Sequence, residues 1–235
     1  MNLQRLDKLV SSQFNVSRSI ARKDILRGKV SVNGVTERDF SLKCDTQNAK
    51  ITYNGHALEY KEHIYLIMNK PKGVLSASTD SNRETVVDLV PESLKRNGLF
   101  PVGRLDKDTT GLLLITDDGD FAHNIITPKK DIKKLYRVTV DGILNSDTVK
   151  QFQDGIVLAD GKKCLPARLN ILSDYIANVT ICEGKYHQIK RMFGAVGLGV
   201  VELERLSIGG LSLPENLNIG ECRELSANEK ISIFC

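Results

Sequence analysis

The chain has 235 residues, of which 41% are hydrophobic and 26% charged, the composition of a globular protein with room for one large domain or two smaller ones. No apolar run reaches the roughly 18 residues that a bilayer span needs, and the first turns, MNLQRLDKLVSSQ, carry charges. Membrane attachment is therefore not expected, and a cytoplasmic location is predicted. The five cysteines are scattered without a C-x-x-C pair, which argues against a disulfide framework and against a zinc site.

The net charge of +4 is unevenly distributed along the chain. Residues 1–60 contain ten Lys or Arg and six Asp or Glu, whereas residues 61–235 contain 23 of each. The whole surplus of positive charge therefore lies in the first quarter of the chain. This asymmetry predicts a basic binding module attached to a neutral body, with a polyanion as the partner.

The first 59 residues predict a small α+β unit. Apolar residues at helical spacing in LQRLDKLVSS predict a helix over 3–12. Ser17 is predicted to cap a second helix that ends at Gly28. Two short strands follow, and each is predicted to end in an Asn-Gly turn, in the stretches VSVNG and AKITYNG.

The second of these helices carries a basic face. Its residues alone favour a solvated surface, but the charge surplus shifts the prediction to nucleic-acid binding. Residues 1–59 resemble the S4 RNA-binding domain in the stretches SRSIA, RGKV and VNG. The resemblance implies that this helix and the following loop bind structured RNA through its backbone and shape. The implied contact residues are Arg18, Arg22, Lys23, Arg27 and Lys29.

A linker over 56–63 is predicted to precede a second domain over 62–235. Apolar and β-branched runs predict strands at 65–68, 112–116, 136–140, 167–172, 175–182 and 199–209. Helices are predicted at 84–90, 120–126, 146–155 and 187–197. Because the two kinds of element do not alternate regularly, an α+β fold with a mixed, largely antiparallel sheet is predicted rather than a doubly wound one.

The stretch GRLDKDTTGLLLITDDGDFAH, residues 103–123, places Asp106 directly before an apolar strand. Asp106 and Asp108 form a candidate Mg²⁺ pair, although no further acid cluster has suitable spacing. A turn acid that hydrogen-bonds the following threonines fits the same residues. The DDGD cluster is not an EF-hand, because the twelfth position of that loop is a proline. Asp120 is predicted to cap the next helix.

Four further stretches resemble the pseudouridine synthases, and in particular the RsuA branch, which modifies ribosomal RNA. In chain order they are KPKG (70–73), GRLDKDTTGLLLITDDG (103–119), KLYRV (134–138) and EGKYHQIKRM with LERLSIGG (183–192 and 203–210). The resemblance implies that Asp106 is the catalytic aspartate and that Lys190 pairs with it. It also implies that Tyr136 stacks on the target uracil and assists proton removal.

The same resemblance implies substrate contacts from Arg104, Leu203 and Lys70. It implies that the chain uses no metal ion and no organic cofactor. His187 stands at the start of the last predicted helix, and because no second His, Cys or acid cluster lies at ligand spacing, a structural role is predicted for it.

The implied reaction is the isomerisation of a uridine in ribosomal RNA to pseudouridine. Cleavage of the C1′–N1 bond develops positive charge at C1′, and a carboxylate can stabilise that charge, add to C1′ or take the C2′ proton. The residues do not decide among these three roles.

The stretches DTTGLLLITDDG and HQIKRMF are most similar to the 16S small-subunit branch, with a 23S target or an inactive RNA-binding assembly protein as alternatives. The expected partner is ribosomal RNA or a pre-ribosomal small-subunit particle, bound by a monomer.

Overall fold

The computed structural model describes residues 3–127 and 130–235, and the chain divides into two compact units. The first consists of the residues up to Ile64 together with Glu92–Leu99, and the second of Tyr65–Pro91 and Phe100–Cys235. Nothing in the sequence pattern indicated that Glu92–Leu99 groups with the first unit. Arg96 holds it there by donating a hydrogen bond from Nη1 to the Lys61 carbonyl, at 2.9 Å.

The first unit packs two helices against short strands. Its elements are β1 (Leu3–Arg5), α1 (Leu6–Gln13), α2 (Arg18–Leu26), β2 (Val30–Val32), β3 (Val35–Glu37), β4 (Lys43–Asp45), β5 (Ile51–Tyr53) and β6 (His56–Ala57). Strand β1 pairs with β4, and the second sheet has the order β3-β2-β5-β6. Its core contains the apolar faces of both helices, among them Leu6, Leu9 and Ile25.

Local signals explain most of this unit. The Ser17 side chain accepts a hydrogen bond from the Ile20 amide at 3.2 Å, as predicted for a cap of α2. Asn33-Gly34 joins β2 to β3 and Asn54-Gly55 joins β5 to β6, and all four residues have positive φ angles, as a tight hairpin turn requires. The first helix is shorter than predicted, because residues 3–5 pair with β4 as a strand.

The second unit is built on one large mixed sheet. Its elements are β7 (Tyr65–Lys70), β8 (Phe100–Pro101), β9 (Thr110–Thr116), α3 (Gly119–Ile126), β10 (Lys134–Val140), α4 (Ser146–Asp154), β11 (Arg168–Ser173), β12 (Ile176–Ile181), α5 (Gln188–Ala195), β13 (Val200–Ile208), β14 (Leu211–Ser212), β15 (Cys222–Glu224) and α6 (Ala227–Ser232). The sheet order is β11-β12-β10-β13-β9-β7-β15, with β14 beside β13 and β8 beside β9.

Strands β13 and β9 run parallel, whereas the other neighbours in this order are antiparallel. The prediction of an α+β fold with a mixed, largely antiparallel sheet is therefore confirmed. Strands β7 and β9 each have a neighbouring strand on both sides and are almost fully buried, which accounts for their continuous apolar runs. Among the described residues, no helix combines the length and the apolar character that a membrane crossing would need.

Two local predictions in this unit are wrong. Residues 84–90 form turns rather than a helix: the amide and hydroxyl of Thr85 both donate to Asp88 Oδ2 at 2.8 Å, and the Val86 amide donates to the Leu75 carbonyl. Helix α3 is capped by Asp118 rather than Asp120, because the Asp118 carboxylate accepts from the amides of residues 120 and 121, each at 3.0 Å.

Candidate active site

Asp106 lies in the loop between β8 and β9, and hydrogen bonds hold this loop in place. The Ser76 hydroxyl donates to the Leu105 carbonyl at 2.9 Å and accepts from the Leu105 amide at 3.1 Å. The Thr109 amide donates to the Asp106 carbonyl at 3.1 Å and closes a turn. The turn therefore uses the backbone of Asp106, and the side chain is left to face the neighbouring elements.

Lys70, the last residue of β7, holds the same loop through hydrogen bonds from its side chain. Its side chain is fully buried, and Nζ donates to the carbonyl oxygens of Pro71, Lys107 and Thr109 at 2.9, 3.3 and 3.0 Å. Burial lowers the pKa of Lys70 to about 8, and the nearby charges of Asp108 and Asp106 only partly offset it. The expectation that Lys70 contacts the substrate is therefore corrected, since its ammonium is enclosed by backbone oxygens.

Lys190 on α5 reaches both acids of the loop. Its Nζ lies 3.4 Å from Asp106 Oδ2 and 2.5 Å from Asp108 Oδ1. The hydrogen bond from Lys190 lowers the pKa of Asp108, against the opposing effect of burial. The two carboxylates that formed a candidate Mg²⁺ pair thus share one ammonium. Within the described residues, no group of three or more His, Cys, Asp or Glu is arranged to hold a metal ion.

His187 is a site residue whose place the sequence did not reveal. It precedes α5 in the left-handed conformation (φ 48°), where its side chain makes no capping hydrogen bond. Its Nε2 instead lies 3.5 Å from Asp106 Oδ1. The two carboxylate oxygens of Asp106 therefore face different groups, the imidazole on one side and the Lys190 ammonium on the other.

Strands β10 and β13 supply the apolar side of the site. Tyr136 and Leu203 are each 7% exposed. Arg205, which pairs with Tyr136 across the two strands, is also buried. Its Nε donates to the Leu112 carbonyl at 2.7 Å, and Nη1 lies 3.5 Å from the Tyr136 hydroxyl. Its charge at a buried strand position was not predicted, although an arginine in an otherwise alternating apolar strand is a signal that could have identified it.

These elements line a small, open cleft with a volume of about 80 Å³. Four of the predicted site residues line it: Arg104, Asp106, Tyr136 and Leu203. His187 lines it as well, and Lys190 reaches the cleft through its contact with Asp106. The arrangement offers a carboxylate next to an aromatic ring and an apolar surface, with a guanidinium at the rim.

In the first unit, the predicted RNA contacts fall into two groups. Arg18 and Arg22 lie 3.6 and 2.8 Å from the carboxylate of Asp7, and Lys29 lies 2.9 Å from that of Asp24. Lys23 and Arg27 are exposed and have no ion-pair partner among the described residues.

Comparisons with known proteins agree with both parts of this arrangement. A family model described as RNA pseudouridylate synthase matches residues 64–195, and a model of the S4 domain matches residues 4–46. A Bacillus subtilis protein named as an uncharacterized RNA pseudouridine synthase, YtzG, is 42% identical, with 96% of each chain covered. The Ribosomal small subunit pseudouridine synthase A of Salmonella typhimurium is 39% identical over 97% of this chain and 99% of its own.

A crystal structure described as a pseudouridylate synthase has a TM-score of 0.69 and 37% identity, and the match covers 97% of this chain and 99% of that one. The resemblance seen in the sequence motifs is therefore confirmed. The chain belongs to the RNA pseudouridylate synthase family and carries an S4 domain in its first unit.

Proposed function

We propose that this chain converts a specific uridine of 16S ribosomal RNA to pseudouridine, with Asp106 as the catalytic group. The proposal depends above all on the position of Asp106. Its carboxylate is 24% exposed and opens onto the cleft, and the two nitrogens that face it, Lys190 Nζ and His187 Nε2, lie 3.4 and 3.5 Å away. A carboxylate held in this way has lone pairs available for a substrate, which a fully bonded structural carboxylate does not.

The reaction replaces the C1′–N1 bond with a C1′–C5 bond, and the proton that leaves C5 is matched by one gained at N1. Because no atom is gained or lost and no electrons are transferred, the reaction calls for no cofactor. Positive charge develops at C1′ of the ribose when the bond to N1 breaks, and Asp106 is the anion that meets it. Lys190 and His187 fix the direction of the carboxylate. Its possible roles remain the three that the chemistry allows: stabilising the charge, adding to C1′, or taking the C2′ proton.

The detached uracil must turn and present C5 to the sugar while it stays bound. Tyr136 and Leu203 offer an aromatic and an aliphatic surface on the same side of the cleft as Asp106. The Tyr136 hydroxyl has Arg205 Nη1 as its neighbour at 3.5 Å, and this hydroxyl assists the loss of the C5 proton. Arg104 at the rim contacts the RNA backbone of the extruded nucleotide, whose unstacking costs a few kcal/mol.

The choice of target comes from the relatives. Several that are 37–39% identical over nearly their whole length are named Ribosomal small subunit pseudouridine synthase A, which supports 16S ribosomal RNA, or a particle that contains it, as the partner. The 42% identical relative has no target in its name, so a 23S target is retained as the outcome to test against.

The decisive experiment compares two neighbouring acids. Asp106→Asn should abolish pseudouridine formation in 16S ribosomal RNA while RNA affinity stays within about twofold of wild type, because only the charge at C1′ is lost. Asp108→Asn is the matched control: it removes an acid that also contacts Lys190 but is 56% exposed, and it should keep most of the activity. Pseudouridine mapping in ribosomal RNA gives the readout.

Each other outcome has a defined meaning. Loss of a 23S site instead of a 16S site, in cells that lack the gene, would reassign the target. Full activity of Asp106→Asn would overturn the catalytic assignment. Wild-type protein that binds ribosomal RNA but forms no pseudouridine would favour the role of an assembly protein. Activity that disappears in excess EDTA would reopen the metal-dependent alternative.

A further inference from the structure

An exposed aromatic ring stands next to the catalytic loop, and the proposed reaction does not use it. Tyr186 is 77% exposed, although tyrosine rings usually bury most of their surface. Its ring stacks on His187 with a centroid distance of 3.8 Å and an interplanar angle of 18°. One face of the tyrosine is thus covered by the imidazole, and the rest of the ring faces solvent.

The segment that carries these two rings is held rigidly. The Lys185 amide donates to Gln188 Oε1 at 2.8 Å, and Gln188 Nε2 donates to Glu183 Oε1 at 2.7 Å. Both Glu183 and Gln188 are buried. His187 keeps the left-handed backbone conformation, which residues other than glycine adopt at an energetic cost. A strained conformation inside a closed hydrogen-bond network indicates that the direction of the rings is fixed before any substrate arrives.

The ring pair also lines a second open cleft of about 470 Å³, which shares Asp106 with the first. Arg104 and Lys107 line this cleft together with Tyr186 and His187, whereas the Lys185 ammonium is paired with Glu183 at 2.6 Å. Cations around an exposed aromatic face are the usual composition of a single-stranded nucleic-acid site, in which bases stack and phosphates pair with Lys or Arg.

We propose that Tyr186 is the stacking platform for the nucleotide next to the target uridine. His187 links the two positions, since its ring contacts Asp106 through Nε2 and supports the tyrosine through its face. The inference rests on the proposed function and adds to it a second nucleotide subsite, one ring away from the catalytic carboxylate. The subsite takes an unpaired base of any identity, because every base has a stacking face.

The test uses the shortest 16S ribosomal RNA fragment that the wild-type protein modifies, under single-turnover conditions. Tyr186→Ala should raise the half-saturating concentration by about tenfold and leave the maximal rate within about twofold, because stacking contributes to binding rather than to bond breaking. Tyr186→Phe keeps the ring and should behave as wild type. Tyr175→Ala is the matched control, because that tyrosine is 49% exposed but lies in the turn between β11 and β12.

A modified RNA identifies the base that stacks. Replacing the nucleotide on the 5′ or the 3′ side of the target with an abasic residue should cost the wild-type protein about tenfold in half-saturating concentration at one of the two positions. The same replacement should cost Tyr186→Ala almost nothing, because its partner ring is already absent. The position at which the two losses are not additive is the subsite.

The inference is overturned if Tyr186→Ala matches wild type on the unmodified fragment, or if the abasic penalty is the same in both proteins at both positions. In either case a wild-type protein that still forms pseudouridine would leave the proposed function intact. A wild-type protein that forms no pseudouridine in any ribosomal RNA would remove both.

Discussion

In the first unit the carboxylate of Asp7 is fully buried among three arginines, whereas in the second unit the carboxylate of Asp106 is 24% exposed and faces one lysine and one histidine. The distances differ in the same direction. Arg22 Nε lies 2.8 Å from Asp7 Oδ2 and Arg5 Nε 3.1 Å from Oδ1. The third arginine, Arg18, lies further from Asp7, at 3.6 Å. Lys190 Nζ and His187 Nε2 lie 3.4 and 3.5 Å from Asp106, beyond the range of a good hydrogen bond.

The difference separates an acid whose oxygens are hydrogen-bonded at short distances from one whose oxygens are not, although both have basic neighbours. The oxygens of Asp7 already accept hydrogen bonds from Arg5 and Arg22, so the side chain orders its arginines and has little capacity for a ligand. Those of Asp106 are oriented by charge but not saturated, and they open onto a cleft. Positively charged neighbours alone therefore do not indicate a reactive carboxylate. An oxygen that can still accept a hydrogen bond does.

Replacement of the structural acid should produce the largest effect on stability. Asp7→Asn removes the anion and leaves three arginines close together, which should cost about 3 kcal/mol in the free energy of unfolding, near the low end for a broken buried pair because the arginines are half exposed. Urea denaturation of the full chain measures this loss. Asp106→Asn should leave the free energy of unfolding unchanged or slightly raised.

The pH dependence of this loss provides a check. Burial raises the pKa of Asp7, but hydrogen bonds from Arg22 and Arg5 and the charge of Arg18 outweigh it, and the pKa is held below its ordinary value of 3.8. The stabilisation is therefore present at neutral pH and lost as pH falls below about 4, through the lower pKa of the folded state. A difference between wild type and Asp7→Asn that persists in acid would contradict the ion-pair explanation.

Lys70 sharpens the comparison, because the second unit buries a charge without any carboxylate in direct contact. Its folded pKa of about 8 lies below the ordinary lysine value of 10.5. The buried charge therefore costs stability in full below pH 8, and this cost is relieved as pH rises from 8 towards 10.5. The free energy of unfolding of wild type relative to Lys70→Met should therefore increase by up to about 3 kcal/mol over that interval. Denaturation at several pH values measures the difference.

The comparison of wild type with Lys70→Met cancels the titration of groups that the two proteins share. A flat difference between pH 8 and 10.5 would mean that the Lys70 ammonium is better solvated than its three carbonyl partners and full burial indicate. Lys134 is a half-buried lysine whose pKa is also lowered by burial, and it remains present in both proteins.

Asp7, Asp106 and Lys70 also show how much of the structure could be predicted from the sequence. Signals that act within a few residues were readable: the Ser17 cap, the Asn-Gly turns, and the alternation that places Tyr136 and Val138 on one face of β10. The family motifs added Asp106. In contrast, the partners of Asp7 come from β1 and α2, and two of the three carbonyl partners of Lys70 come from a loop almost forty residues away.

The errors have the same origin. The run at 84–90 has helical spacing, but Val86 uses its amide to bond Leu75, a tertiary contact that overrides a weak local preference. The residue type does not distinguish Asp118 from Asp120 as the cap of α3. The choice depends on the end of β9 at Thr116, which sets where α3 begins. His187 directly precedes α5, as predicted, but its contact with Asp106 could not be predicted, because it depends on the left-handed backbone that turns the side chain towards that carboxylate.

The smallest expected effect is on RNA binding, and it compares the ion-paired and unpaired cations of the first unit. Lys23 and Arg27 have no ion-pair partner among the described residues, so we expect each to neutralise an RNA phosphate. Lys23→Ala combined with Arg27→Ala should weaken RNA binding by about tenfold and reduce the slope of log affinity against log salt by about 1.5, since each phosphate contact contributes roughly 0.7 to 0.9. Lys29→Ala is the matched control: Asp24 already neutralises that ammonium at 2.9 Å, so the slope should change by well under one unit. A larger change in the salt slope for Lys29→Ala than for the double variant would mean that the ion pairs of the first unit open when RNA binds. The contrast between the ion-paired acids of the first unit and the accessible carboxylate of Asp106 would then hold only for the free protein.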